Sequence, residues 1–136
     1  MRVIRRIVVL SVLAAVALPA AISRADAPPP TSLRADIAEW SIVPSAGMVR
    51  SGLVKITARN LGTGPHQLLL VRTTRFAEVL PLHGDHAAGR PVAPPLVLEP
   101  GRSGSIVTRL APGNYLLIDN LPWHYWLGTS AAIVVR

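Results

Sequence analysis

The sequence predicts an all-β protein, an antiparallel Greek-key sandwich or barrel of about seven strands with one irregular, proline-rich excursion. Three observations carry this. Short runs alternate apolar and polar residues with a period of two, the runs are separated by glycine, proline and asparagine turns, and no segment sustains a helical period with caps.

Taken in chain order, the first element is a leader. Arg2, Arg5 and Arg6 precede an apolar run from Ile7 to Ile22, and small residues follow. This is the pattern of a secretory signal, and the run of 16 residues is shorter than the 18 or more that a membrane span wants. Cleavage is expected after Ala25, because a cut after Ala27 would place Pro28 beside the scissile bond. Residues 1–25 are therefore read as signal peptide. The product is expected to be periplasmic or secreted, with no membrane span after removal of the signal and no lipid anchor, since no cysteine follows.

Residues 26–33 contain three consecutive prolines, Pro28 to Pro30, and read as an extended linker. The folded domain is assigned to residues 34–136. Its first run, "LRADIAEWSIVP", places Ile37, Trp40 and Ile42 among the apolar positions, and Trp40 is expected in the core. In "GLVKITARN", Val54, Ile56 and Ala58 oppose Leu53, Lys55, Thr57 and Arg59, the signature of a half-buried strand. "HQLLLVRT", "SGSIVTRL", "GNYLLIDN" and "SAAIVVR" are further strands, punctuated by the turns "NLGTGP", "EPGRSG" and "APGN". Arg75 to Pro100 holds five prolines and reads as the excursion, with at most a helical turn.

Composition narrows the functions. The full chain carries 14 basic and 7 acidic residues, but the leader takes four arginines, leaving ten against seven and a net charge of +3. The remaining arginines are scattered and form no stripe suited to a phosphate backbone, so no nucleic-acid partner is expected. No cysteine is present, so the core alone must hold the domain, which is expected to be a monomer. Ser103 and Ser105 lie ahead of a strand without the strand-to-helix elbow of a serine nucleophile, and "NLGTGP" is followed by a strand where a phosphate loop requires a helix. The protein is not expected to be an enzyme.

The order "AEWSIVP", "GLVKITARNLGTGPHQLLLV" and "LEPGRSGSIVTRLAPGNYLLIDNLPWHYWLGTSAAIVV" resembles the cupredoxins, the small blue-copper proteins, over nearly all of the mature chain. The resemblance implies a first histidine ligand at His66, after the turn with Asn60 and Gly62, and a second at His124. The remaining ligands of that family lie in the loop before the last strand, patterned as cysteine and asparagine, then proline, histidine, and glycine with methionine. Here Asn120, Pro122, His124 and Gly128 fall in register, while Asp119 stands at the cysteine position and Thr129 at the methionine position.

Without a thiolate no blue-copper centre can form. Two imidazoles and a carboxylate instead suit Cu(II), and also Zn(II), so a non-blue copper site of His66, Asp119 and His124 is the cofactor expectation. It would serve copper handling or slow redox. The alternative is a metal-free module that binds a periplasmic protein partner through Trp123, Tyr125 and Trp126. "HGDHAAG" offers a weaker third constellation, His83, Asp85 and His86, which reads first as a solvated loop.

Overall fold

The computed structural model describes residues 31–136. The predicted leader lies outside these residues, as does most of the linker. Eleven strand segments follow in order: β1 Thr31–Ala38, β2 Ser41–Pro44, β3 Met48–Val49, β4 Gly52–Asn60, β5 His66–Thr73, β6 Leu82–His83, β7 His86–Ala87, β8 Leu96–Leu98, β9 Ser103–Leu110, β10 Gly113–Asp119 and β11 Ser130–Val135. No helix occurs among the described residues, so none of them forms a helical membrane span. β1 opens at Thr31, so Thr31, Ser32 and Leu33 belong to a strand where the sequence suggested linker.

Two sheets pack face to face. One has the order β2-β1-β4-β9 and the other β3-β11-β10-β5-β8, while β6 and β7 pair as a separate hairpin. The predicted alternation holds in β4, where Val54, Ile56 and Ala58 are buried and Leu53, Lys55 and Arg59 are exposed. These three residues meet Leu33, Ala35 and Ile37 of β1 and, across the sandwich, Leu68, Leu70, Leu117 and Ile133. Each fully buried aliphatic side chain of this set contributes about 2 kcal/mol relative to exposure.

The expectation of an all-antiparallel fold requires correction, because β1 runs parallel to β4 and β3 parallel to β11. Between β1 and β4 the chain turns back as β2 and crosses to the second sheet as β3. Side chains alternate faces in the same way whichever direction the neighbour runs, so the sequence pattern does not carry strand direction.

Trp40 also departs from expectation. It is not in the core but in the two-residue turn between β1 and β2, at φ 62° and 51% exposed. Ala38 pairs with Ser41, so the chain reverses at Glu39 and Trp40 and the alternation does not run through them.

The proline-rich excursion is more ordered than its composition suggested. Leu80 and Ala87 pack on Leu69, Val71, Leu116 and Ile118, forming a second apolar cluster on the outer face of the five-stranded sheet. β5 and β10 are thereby covered on both faces. This explains why "LLLV" and "YLLI" are continuous apolar runs and do not alternate.

Candidate metal centre

Antiparallel pairing of β5 with β10 sets Asp119 opposite Leu68, so the first residue of β5 and the last of β10 meet at one end of the sandwich. These residues are His66, 1% exposed, and Asp119, fully buried. The chain then leaves β10 through a succession of turns. His124 N–H donates to the Leu121 carbonyl, Leu127 N–H to Trp123, and Thr129 N–H to His124. This winding carries His124 back over the strand ends, and Asp119 N–H closes the loop on the Thr129 carbonyl.

The three side chains converge. Asp119 Oδ2 lies 2.5 Å from His66 Nδ1 and 2.6 Å from His124 Nδ1, and the two imidazole centroids are 5.4 Å apart, edge to face. Asp119 Oδ1 accepts the backbone N–H groups of Gln67 at 3.0 Å and Leu121 at 3.1 Å. The buried carboxylate therefore has four donors, as a buried charge requires. An ionised carboxylate oxygen only accepts, so the network places a proton on Nδ1 of each ring. Two buried polar atoms beside this network have no partner, His66 Nε2 and Thr129 Oγ1.

Asparagines fix the surroundings. Asn60 donates from Nδ2 to the Gly64 and Leu98 carbonyls and accepts Gly62 N–H on Oδ1, which holds the β4–β5 turn. Asn120 accepts Ala87 N–H at 2.7 Å, and Asp85 accepts Trp123 N–H through its carbonyl, so the β6–β7 hairpin braces the final loop. His83 and His86 face each other across that hairpin, and His86 pairs with Asp85. They do not join the centre. Among the described residues, His66, Asp119 and His124 form the only group of three His or acidic side chains whose ligand atoms lie within 4.8 Å of one another.

Of the three aromatic residues proposed for a contact surface, Trp123 and Trp126 are 53% and 67% exposed. Tyr125 instead turns inward against the second apolar cluster, and its hydroxyl accepts Leu80 N–H at 2.8 Å. The sequence reading missed the β1–β2 turn altogether. Trp40 lies edge-on to His124 at a centroid distance of 5.7 Å. Glu39 accepts Thr63 N–H, Thr63 O–H and Gly64 N–H on one carboxylate oxygen, which holds its pKa down at about 2. The only local signal was the break in alternation at "EW".

The donor set fits a small divalent cation. Two imidazoles and one carboxylate, buried except for part of the His124 ring, match Cu(II) or Zn(II) in ligand type, and Thr129 Oγ1 is a further unpartnered oxygen nearby. Ligands held around one ion at about 2 Å lie roughly 3 Å from one another. The three side chains would therefore have to spread by about half an ångström and give up their mutual hydrogen bonds.

The sandwich and the histidines at its end define a cupredoxin-like protein in architecture, one without a cysteine ligand. Among the particular structures it matches are auracyanins and rusticyanins. Reduced auracyanin from the photosynthetic bacterium Roseiflexus castenholzii is 20% identical with a TM-score of 0.51, the match covering 74% of this chain and 94% of that one. Auracyanin B is 22% identical with a TM-score of 0.51, covering 77% and 86%. Rusticyanin from Thiobacillus ferrooxidans is 14% identical with a TM-score of 0.58, covering 77% of each chain. At these identities the likeness establishes the fold. No family model and no curated protein matches the sequence.

Proposed function

We propose that this is an exported copper-handling protein that binds Cu(II) at a non-blue site formed by His66, Asp119 and His124, for storage, delivery or slow redox. The observation that carries the reading is the convergence of two imidazole Nδ1 atoms and a carboxylate oxygen in one buried cluster at the end of the sandwich. Rusticyanin, with the same architecture, is a copper protein. With a hard oxygen where a thiolate would be, the site favours Cu(II) over Cu(I), which lowers the reduction potential and slows cycling. The residues themselves supply orientation and exclusion of water: Asp119 is fixed by Gln67 and Leu121, and His66 is sealed beneath the β4–β5 turn. The leader directs the chain to the periplasm or the exterior.

Paramagnetic resonance of the copper-loaded protein tests this. The expected spectrum has the wide copper splitting of nitrogen and oxygen ligation, with no intense visible absorption, and it disappears in a His66→Ala, His124→Ala double variant. A blue colour, or an unchanged spectrum in the double variant, would contradict the reading.

A second reading, a metal-free module that docks a periplasmic protein, draws on a different observation. Asp119 Oδ2 is already satisfied by both imidazoles without an ion, and Trp123 and Trp126 stand exposed beside them. Under it, Trp123→Ala and Trp126→Ala reduce capture of a partner from a periplasmic extract while leaving the melting temperature unchanged.

A further inference from the structure

The unpartnered Nε2 of His66 and the carboxylate of Glu39 face the same small space. A β-carbon added to Gly62 would lie 2.7 Å from His66 Nε2, 2.7 Å from Glu39 Oε1 and 2.9 Å from Glu39 Oε2. The absence of a side chain at Gly62 is what lets these groups approach. With Nδ1 protonated toward Asp119, Nε2 is a bare acceptor that borders the Gly62 space with the Glu39 carboxylate and has no donor. With His66 only 1% exposed, an Nε2 acceptor that has no donor is an unsatisfied arrangement. It is resolved once Nε2 carries a proton.

We propose that Glu39 is the positioning residue for His66, accepting the Nε2 proton when Nδ1 is given over to a metal ion. The inference rests on the reading of His66 as a ligand. The change at His66 is a tautomer shift, in which the Nδ1–H bond breaks, an Nε2–H bond forms and the Nδ1 lone pair is freed. The ring stays neutral and no net proton is gained or lost. Glu39 is suited to the task because the Thr63 and Gly64 donors anchor one carboxylate oxygen, Oε1, while Oε2 remains near the Gly62 space without a hydrogen bond from another described residue. Metal-ligating imidazoles commonly donate their second N–H to a carboxylate, which fixes ring orientation and raises ligand basicity. The β1–β2 turn thereby serves both histidines, Glu39 reaching toward His66 and Trp40 lying against His124.

The test uses Cu(II) affinity by competition titration, together with imidazole ¹⁵N resonances of the protein metal-free and loaded with diamagnetic Zn(II). In the wild type, His66 should be an Nδ1–H tautomer without metal and an Nε2–H tautomer with Zn(II), its Nε2 proton protected from exchange. Glu39→Ala should weaken Cu(II) binding about 10- to 100-fold and abolish that protection. Glu39→Gln keeps acceptors for the Thr63 and Gly64 donors, so it should retain the melting temperature yet regain only part of the affinity, since a neutral amide oxygen is the weaker acceptor. A purely structural role for Glu39 would instead have Glu39→Gln restore affinity and melting temperature together, and that result overturns the proposal. So does wild-type affinity in Glu39→Ala, which leaves the His66 site itself standing. Failure of the wild type to bind either metal overturns both.

Discussion

Replacing Asp119 with asparagine isolates what the carboxylate does in the metal-free protein. The volume is unchanged, and the asparagine Oδ1 can still accept Gln67 N–H and Leu121 N–H, so the backbone end of the network survives. The loss falls on the other oxygen, where two charge-assisted bonds to His66 and His124 become neutral amide-to-imidazole bonds, with both rings changing tautomer. A hydrogen bond to a charged group contributes about 1 kcal/mol more than a neutral one, so two of them amount to about 2 kcal/mol. In a domain of this size that corresponds to a fall in melting temperature of about 10 °C. Thermal unfolding followed by circular dichroism, with chelator present throughout, measures it. An unchanged or raised melting temperature would refute the reasoning, because it would mean that burying the carboxylate costs as much as its hydrogen bonds return.

Other substitutions separate neighbouring roles. Tyr125→Phe should destabilise the fold by about 1–2 kcal/mol, since Leu80 N–H loses its acceptor, whereas Trp126→Ala in the same loop should change stability by less than about 0.5 kcal/mol; denaturant unfolding of the two variants checks the ranking. His124→Ala should weaken Cu(II) binding more than His86→Ala, and the reverse ranking in a copper titration would move the site to the β6–β7 hairpin. Glu39, with its pKa lowered from 4.5 to about 2, supports the β4–β5 turn above its usual pKa and loses that support as the pH falls through about 2. Amide exchange at Thr63 and Gly64, corrected for its intrinsic pH dependence, should show less protection at pH 2 than at pH 5.

Much of this was legible from residue pattern. The alternation of β4 gave its buried face directly, and the positions of His66, Asp119 and His124 were implied by the resemblance to the cupredoxins, carried by turn residues and motif order. What stayed hidden depends on contacts distant in sequence. The second apolar cluster was invisible because Leu80 and Ala87 sit among prolines and glycines, with no period to mark them as a covering layer. Trp40 was misplaced because it falls in phase with Ile42 of β2, although the alternation breaks between Ile37 and Trp40 at the turn. Glu39 could not have been found locally, since its partners Thr63, Gly64 and Gly62 come more than twenty residues later. His66 gave no sign of being buried, because its enclosure comes from the β4–β5 turn and the final loop, brought together by the sheet register.

The most direct test of the copper site is the melting temperature of the protein across a Cu(II) titration at neutral pH. A ligand that binds the folded state alone adds about 2.7 kcal/mol at one hundred times its dissociation constant, a rise of roughly 10–20 °C in a domain of this size. The copper-site account predicts that rise in the wild type and its loss in the His66→Ala, His124→Ala double variant. A melting temperature that stays constant across the titration with both histidines intact would contradict it.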